Sequence, residues 1–446
     1  LLQEVAGQPE DLLRRGLPHL QAAEFVYDMG VFPDVQYAFT HTLTHEVAYD
    51  SLLQERRRAL HARIIEAIEA AYVDRLPEWA DRLAYHVVRG EVWSKALTYF
   101  RQNPAVAPPV IDASLWWMGQ HDRAVQSNQR DLSAAAEFKD FAGQVVANFR
   151  LGQAYHALGV YPHAIDVLGQ NVTALEGELL RERFDMPGLA SVLSRGWLVW
   201  CLAEQGRFGE GLTYGEEAVH IAEQVNDRYS LVVACLGLGM LHLHKGEPQK
   251  AITVLERGVT LSEAERLPQL FPLVAAPLGA AYSLDGRVAE SVPLLEEAVN
   301  RAAALNFMGI QSRRVAWLAE AYLLAGCRDD AMALATRALD LSRAHKERGH
   351  EAWSLRLLGE IQAQREPPAI ELAEASYRQA VAMAEELGMA PLLAHSLLGL
   401  GMLYARSGRP QQARADLSAA VDLFRAMDMR RWLLQAEAML TQALAY

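Results

Sequence analysis

An all-α tandem array of helical hairpins is predicted by three observations: a turn residue recurring about every 40 residues, a leucine at one offset from it, and small residues at offsets of their own. The turn residue is Gly119, Gly159, Gly206, Gly246, Gly286, Gly326 and Gly408, at steps of 40, 47, 40, 40, 40 and 82. Each ends one apolar segment just before the next begins. The last step spans two repeats, with Glu366 where the missing glycine belongs. Glycine suits a left-handed helix end, where a Cβ costs about 1 kcal/mol or more.

Positions not used to find the register test it. Eight residues before each turn stand Leu151, Leu198, Leu238, Leu278, Leu318, Leu358 and Leu400. Seven before it stand Gly152, Val199, Gly239, Gly279, Ala319, Gly359 and Gly401, mostly small residues that let two helices approach. Four before it, Tyr155, Tyr282, Tyr322 and Tyr404 recur, and twelve after it come Ala218, Ala298, Ala338 and Ala420. The large–small pair, the tyrosine, the turn and the later alanines resemble the tetratricopeptide repeat over about 120–446. That resemblance implies an α–α superhelix. The period exceeds the usual 34 residues or so, which helices longer by nearly a turn would explain, as in the extended repeats of large bacterial signalling regulators.

The register has two interruptions. Seven extra residues before Gly206 fall around Arg181–Gly188, where Pro187-Gly188 is a turn signal, so a protruding loop is expected. Upstream, Asn103-Pro104 and Pro108-Pro109 block helix and mark a boundary. The expected organisation is a winged-helix-like unit at 1–75, a connecting helical pair at 76–103, a proline-rich break at 104–118 and the repeat array at 119–446. In the first unit, Glu24–Tyr27 and Gln36–Phe39 read as short strands around Gly30 and Pro33, followed by an amphipathic helix from about Thr44 to Ala71. Leu1 is not an initiator methionine, and the chain opens inside a helix around Leu12, Leu13, Leu17 and Leu20, so a longer parent is expected and the first unit reads as truncated at its start.

The run Tyr37–Tyr49, continuing through Leu52–His61, resembles the segment that follows the nucleotide-binding domain in bacterial multidomain signalling ATPases (AAA/STAND-type). Arg343–Trp353 resembles the repeats of their adenylate cyclase-linked members. The family implies a class III cyclase domain and an ATPase upstream, with tetratricopeptide repeats as the sensor. No GxxxxGK[ST] loop occurs, nor any Gly-Lys dipeptide, so that chemistry lies outside these residues.

Composition agrees with a folded, non-catalytic module. Hydrophobic residues make up 51% and charged residues 22% of 446, and 42 basic against 55 acidic residues leave a formal charge of −13, which disfavours general nucleic-acid binding. Cys201, Cys235 and Cys327 form neither a CxxC pair nor a disulfide framework, which suits a reducing cytoplasm. No stretch reaches the roughly 20 apolar residues of a membrane span. No Ser/His/Asp or Cys/His arrangement stands out, so no catalytic residue, cofactor or metal is expected. His41 and His45, with Glu46 beside them, share a helix face but lack the fuller HExxH pattern and read as structural. Arg56, Arg57, Arg58 and Arg63 read as a solvated face opposite Leu52, Leu53, Leu60 and Ile64.

The expected site is the concave surface, lined by the first helix of each pair. Six residues before the turn lie Gln153, Trp200, Met240, Ala280, Glu320, Glu360 and Met402; ten before it lie Phe149, Leu236, Ala316, Arg356 and Leu398. With Trp197 and Arg313 these give an apolar stretch (Phe149, Gln153, Trp197, Trp200, Met240) beside a charged one (Arg313, Glu320, Arg356, Glu360), suited to a protein or peptide with an apolar anchor and a charged end. Trp200 is the expected anchor. The implied role is the C-terminal sensor region of a signalling ATPase, working with an upstream nucleotide-binding domain. Two alternatives stand beside it: the inducer-binding region of a maltose-regulator-type activator, and a free-standing scaffold. The first is weakened because the chain ends at Leu440–Tyr446 without a basic recognition helix.

Overall fold

The computed structural model describes residues 10–28, 37–40, 54–73 and 115–444, with isolated positions between 5 and 87. The chain divides into two compact units, Leu1–Ser114 and Leu115–Tyr446.

In the first unit, helix α1 (Glu10–Ala22) leads into strands β1 (Val26–Asp28) and β2 (Tyr37–Phe39), which pair antiparallel with Val26 opposite Phe39, and helix α2 (Gln54–Ala71) follows. Ile65 and Ile68 of α2 are buried with Leu83 and Val87. The arginine face is only partly solvated: Arg56 is exposed, but the Arg57 Nε–H donates to the Leu52 carbonyl at 2.9 Å. His41, His45, Glu46, Gly30, Pro33 and the 103–109 proline segment lie outside the described residues.

The second unit is all helix. Helix α3 (His121–Glu137) precedes seven hairpins: α4 (Phe141–Leu158) with α5 (Tyr161–Ala174), α6 (Ala190–Glu204) with α7 (Phe208–Gln224), α8 (Arg228–Lys245) with α9 (Pro248–Ala264), α10 (Phe271–Leu284) with α11 (Val288–Ala304), α12 (Gln311–Leu324) with α13 (Arg328–Ala344), α14 (Arg348–Ala363) with α15 (Ile370–Leu387), and α16 (Ala390–Arg406) with α17 (Pro410–Ala426). Helix α18 (Arg430–Leu444) closes the described part.

All seven turn glycines have positive φ, between 71° and 84°. At Gly286 (φ 84°) the glycine N–H donates to Ser283 and the Arg287 N–H to Tyr282, closing the end of α10. The second turn of the hairpin period is left-handed as well, mostly without glycine, at Lys139, Asn226, Arg266, Asn306, Lys346, Gly388 and Asp428.

The recurring offsets have physical causes. A Cβ on Gly279 would come within 2.5 Å of Leu295 on the partner helix, and Gly152, Gly239 and Gly401 receive Leu168, Leu255 and Leu417 in the same way. The recurring tyrosines tie successive repeats: Tyr282 donates to Glu256 at 2.8 Å, Tyr322 to Glu296 at 2.5 Å and Tyr404 to Glu374 at 3.0 Å, while Tyr155 accepts from Gln129 at 2.8 Å. Ala218, Ala298, Ala338 and Ala420 are fully buried between helices.

The insert before Gly206 lies largely exposed, as the expected loop would, but it is held rather than free. A short 3-10 helix, Gly177–Arg181, turns the chain back; Arg183 pairs with Asp227 and donates to the Pro187 carbonyl at 2.8 Å, and Met186 is buried. Its polar backbone finds partners on the next hairpin, where the Ser230 hydroxyl accepts from the Leu189 N–H at 2.7 Å.

Candidate functional site

The array winds until one turn of the superhelix meets the next, and that closure shapes the inner face. The segment ahead of α3 touches the end of α13: the His345 ring lies 3.0 Å from the Gly119 carbonyl, Lys346 pairs with Asp122, and the Met308 and Gly309 N–H groups donate to Trp117 at 2.7 and 2.9 Å. Glu347, fully buried, gathers the seam. His121 Nε2 stands 3.0 Å from its carboxylate, His350 Nδ1 3.2 Å, the Ile310 N–H donates at 2.9 Å, and the Ser312 hydroxyl donates as well. Burial raises this carboxyl's pKa, but the two histidines outweigh it and hold the group well below the usual carboxylate range.

A second buried carboxylate, Glu204, joins α6 to α14. It accepts from the indole N–H of Trp200 at 3.2 Å and of Trp353 at 3.1 Å, and His244 lies 3.2 Å away. Its pKa is likewise lowered despite burial, through the interaction with His244 and the nearby charge of Arg313.

The apolar half of the expected groove is therefore corrected. Trp200 is 1% exposed and Met240 0%, with Trp197 and Phe149 buried beside them. Trp197 stacks on Trp200 at 5.3 Å, and His156 stands 4.5 Å from Trp200. The half-buried Gln153 offers its backbone carbonyl to the Trp116 indole at 3.1 Å. Around them the next superhelical turn closes in, with His350 against His156 and the Trp353 indole N–H donating to Glu204. Trp200 is packing rather than an exposed anchor.

The charged half lies beside open space. A cavity of about 590 Å³ is lined by Ala280, Glu320, Glu360 and Met402, the same inner register in four consecutive repeats, and by Arg313 and Arg356. Arg356 pairs with Glu320 and, at 2.8 Å, with Glu360. Arg313 is 5% exposed, and its Cζ lies over the indoles of Trp317 at 4.7 Å and Trp353 at 4.4 Å. Burial pushes its pKa down, with Glu204 and Glu320 opposing the shift. Its neighbour Arg314 turns away from the cavity lining and donates to the carbonyls of Pro272 and Gly309 at 3.3 and 3.1 Å.

Sequence reading missed Trp317, Trp353, His244 and His395, all of which line the cavity. Burial holds His395 well below the usual histidine range, helped by Arg356. A periodic signal existed for Ala280, Glu320, Glu360 and Met402 and, at the second offset, for Arg356 and Leu398; Trp317, Trp353, His244 and His395 stand off both registers. Among the described residues no group of three or more His, Cys, Asp or Glu could hold a metal, and no helix is long and apolar enough to cross a membrane. Cys201 and Cys235 are buried and Cys327 exposed, all three as free thiols.

The tetratricopeptide repeat family matches residues 232–265, the α8–α9 hairpin. No curated protein matches the chain. Among solved structures, a signal transduction ATPase with numerous domains from Pyrococcus horikoshii, which carries a tetratricopeptide repeat sensor, is 14% identical with a TM-score of 0.41, and the match covers 99% of this chain and 62% of that one. The chain thus spans about three fifths of that protein's length. A Rap protein complexed with Competence and Sporulation Factor is 11% identical over 76% of this chain and 96% of its own, with a TM-score of 0.50. Aspartyl phosphate phosphatase F from Bacillus subtilis is 13% identical over 78% and 93%, with a TM-score of 0.46. The family match and the Rap likeness agree with the tetratricopeptide-like helical repeat fold described above.

Proposed function

We propose that this chain is the ligand-binding sensor region of a signalling ATPase, taking a protein or peptide ligand at the inner cavity and reporting occupancy to a nucleotide-binding domain upstream. The N-terminal helix, two-stranded ribbon and helix are read as the winged-helix-like link to that domain, and adenylate cyclase as the linked output. The observation that carries the reading is that the cavity wall comes from two superhelical turns at once: Leu243 and His244 of α8 face it together with Arg431 and Trp432 of α18. A ligand there touches both sides of a closure, and so has differential contacts with open and closed forms of the array. Repeat arrays also bind partners along their inner surface as a general property of the architecture.

The natural full-length gene product tests this. Its upstream reading frame should encode a phosphate-binding loop, and its ATP turnover should change when Ala280→Trp fills the cavity wall. A reading frame without a nucleotide-binding domain would leave the free-standing scaffold; turnover indifferent to the substitution would remove the sensor role.

A further inference from the structure

Resting on that reading, we infer that the cavity takes a ligand through a carboxylate, with Arg313 as the anchoring cation and an apolar or aromatic body against Trp317 and Trp353. Arg313 makes no hydrogen bond or ion pair with any described residue; Trp317 and Trp353 are its ring contacts, and its Nε is sealed without a partner. Among the described residues the other two buried guanidinium groups are bonded, Arg314 to its carbonyls and Arg195 to Glu217 and the Ser191 carbonyl, and half-buried Arg356 has two carboxylates. An unpaired buried cation is costly, and a charge-matched ligand recovers that cost on binding.

The surrounding charge points the same way. Glu320 and Glu360 are both engaged by Arg356, while Arg406 and Arg431, also in the wall, donate only to the carbonyls of Ala363 and Leu284 at 3.1 and 2.8 Å. The wall therefore carries cations that pair with no carboxylate among the described residues. Glu204 and Glu320 lie near enough to Arg313 to act through space, yet neither forms a hydrogen bond with it.

The guanidinium suits a planar anion. With indoles against it, its remaining capacity is its N–H edge, and an edge-on guanidinium grips a carboxylate with two parallel hydrogen bonds. Half-buried His395, held neutral by burial, lines the same space with a ring nitrogen able to donate and makes no hydrogen bond with a described residue. A cavity of about 590 Å³ has room for a small organic acid or for the last residues of a peptide. Both sources present the same group.

Matched pairs separate the outcomes. Phenylacetate and phenylacetamide, and the tripeptide acetyl-Ala-Leu-Phe as free acid and as C-terminal amide, are titrated against the whole chain by tryptophan fluorescence. In at least one pair the acid should bind at least about tenfold more tightly than its amide, and Arg313→Gln should shrink that ratio to within about twofold. Preference confined to the tripeptide pair identifies a peptide terminus; preference confined to phenylacetate identifies a small acid. Acid and amide binding equally overturns the carboxylate inference while leaving a peptide sensor intact. No saturable binding by either acid up to about 5 mM overturns it as well, and the sensor reading is then judged separately by turnover of the full-length protein. The wild-type acid-to-amide ratio decides the matter even if Arg313→Gln folds poorly.

Discussion

The seam around Glu347 and the cavity around Arg313 sit on the same kind of inner surface, yet they treat buried charge in opposite ways. Glu347 is met by two histidines, a serine hydroxyl and a backbone N–H, so all its acceptor capacity is spent inside the fold. Arg313, three residues past the backbone contact at Ile310 and one past Ser312, is met among the described residues by aromatic faces alone. A buried charge that is fully paired holds an array closed; one left unpaired marks where the array waits for something else. Substitutions on the two sides should therefore behave differently, and the largest difference is expected where closure depends on packing.

Trp200→Ala should destabilise the array by about 3–5 kcal/mol, because it opens a void in the filled half and removes one donor from Glu204. Urea unfolding followed by circular dichroism reads this directly. A melting profile like that of the parent would put Trp200 back on an accessible groove. Glu347→Gln should cost about 2–3 kcal/mol, since the amide accepts through a single oxygen and turns its NH2 towards buried donors that the carboxylate satisfied. A loss under about 1 kcal/mol would mean that the seam does not hold the turns together.

Acid should act on the filled half before it reaches the carboxylates. Burial pushes His156 down to about 3, with Glu204 and Glu347 opposing the shift and His350 and His244 adding to it. Its folded pKa lies below the unfolded value of about 6.5, so the neutral form is favoured by folding; the contribution is intact above about 6.5 and is lost as pH falls towards 3. At pH 5 that loss is about 2 kcal/mol. Glu204 and Glu347, with depressed pKa values, begin to lose stability only below the ordinary carboxylate range near pH 4.5, which leaves the interval between about 5 and 6.5 to buried histidine. Stability measured across that interval should slope less in His156→Phe than in the parent. Equal slopes would show that protonation elsewhere governs acid sensitivity.

What was legible in the sequence follows the same division. The hairpin register is a local property: a left-handed glycine, a leucine filling the notch of a partner glycine, and a tyrosine reaching a fixed distance back each act within one period or two, so repetition exposes them. The pitch of the superhelix is not local. His121 meets Glu347 and Trp353 meets Glu204 across 226 and 149 residues, and nothing in either neighbourhood announces that partner. For that reason the inner register of Glu320 and Glu360 could be placed while the filling of Trp200 could not. The segment Arg343–Trp353, singled out by its family resemblance, turns out to carry much of the seam: His345, Lys346, Glu347 and His350 all make its contacts.

The smallest expected change is the one that sharpens the comparison most. Arg313→Met removes a buried cation without leaving any hydrogen-bond partner behind, and replaces it with a flexible apolar chain that still packs on Trp317 and Trp353. The lost cation–π contact is worth about 1–2 kcal/mol, and the relieved desolvation is of similar size, so stability should move by less than about 1 kcal/mol in either direction. Arg314→Met, one residue along the same helix, strips donors from the Pro272 and Gly309 carbonyls and from the Gln311 side chain, and should cost about 1–3 kcal/mol more. The two variants share a helix, a residue type and near-complete burial, and differ in whether the guanidinium is bonded. If Arg313→Met falls as far as Arg314→Met, the charge of Arg313 is already committed to Glu204 and Glu320 within the fold, and the cavity loses its claim to an unspent cation.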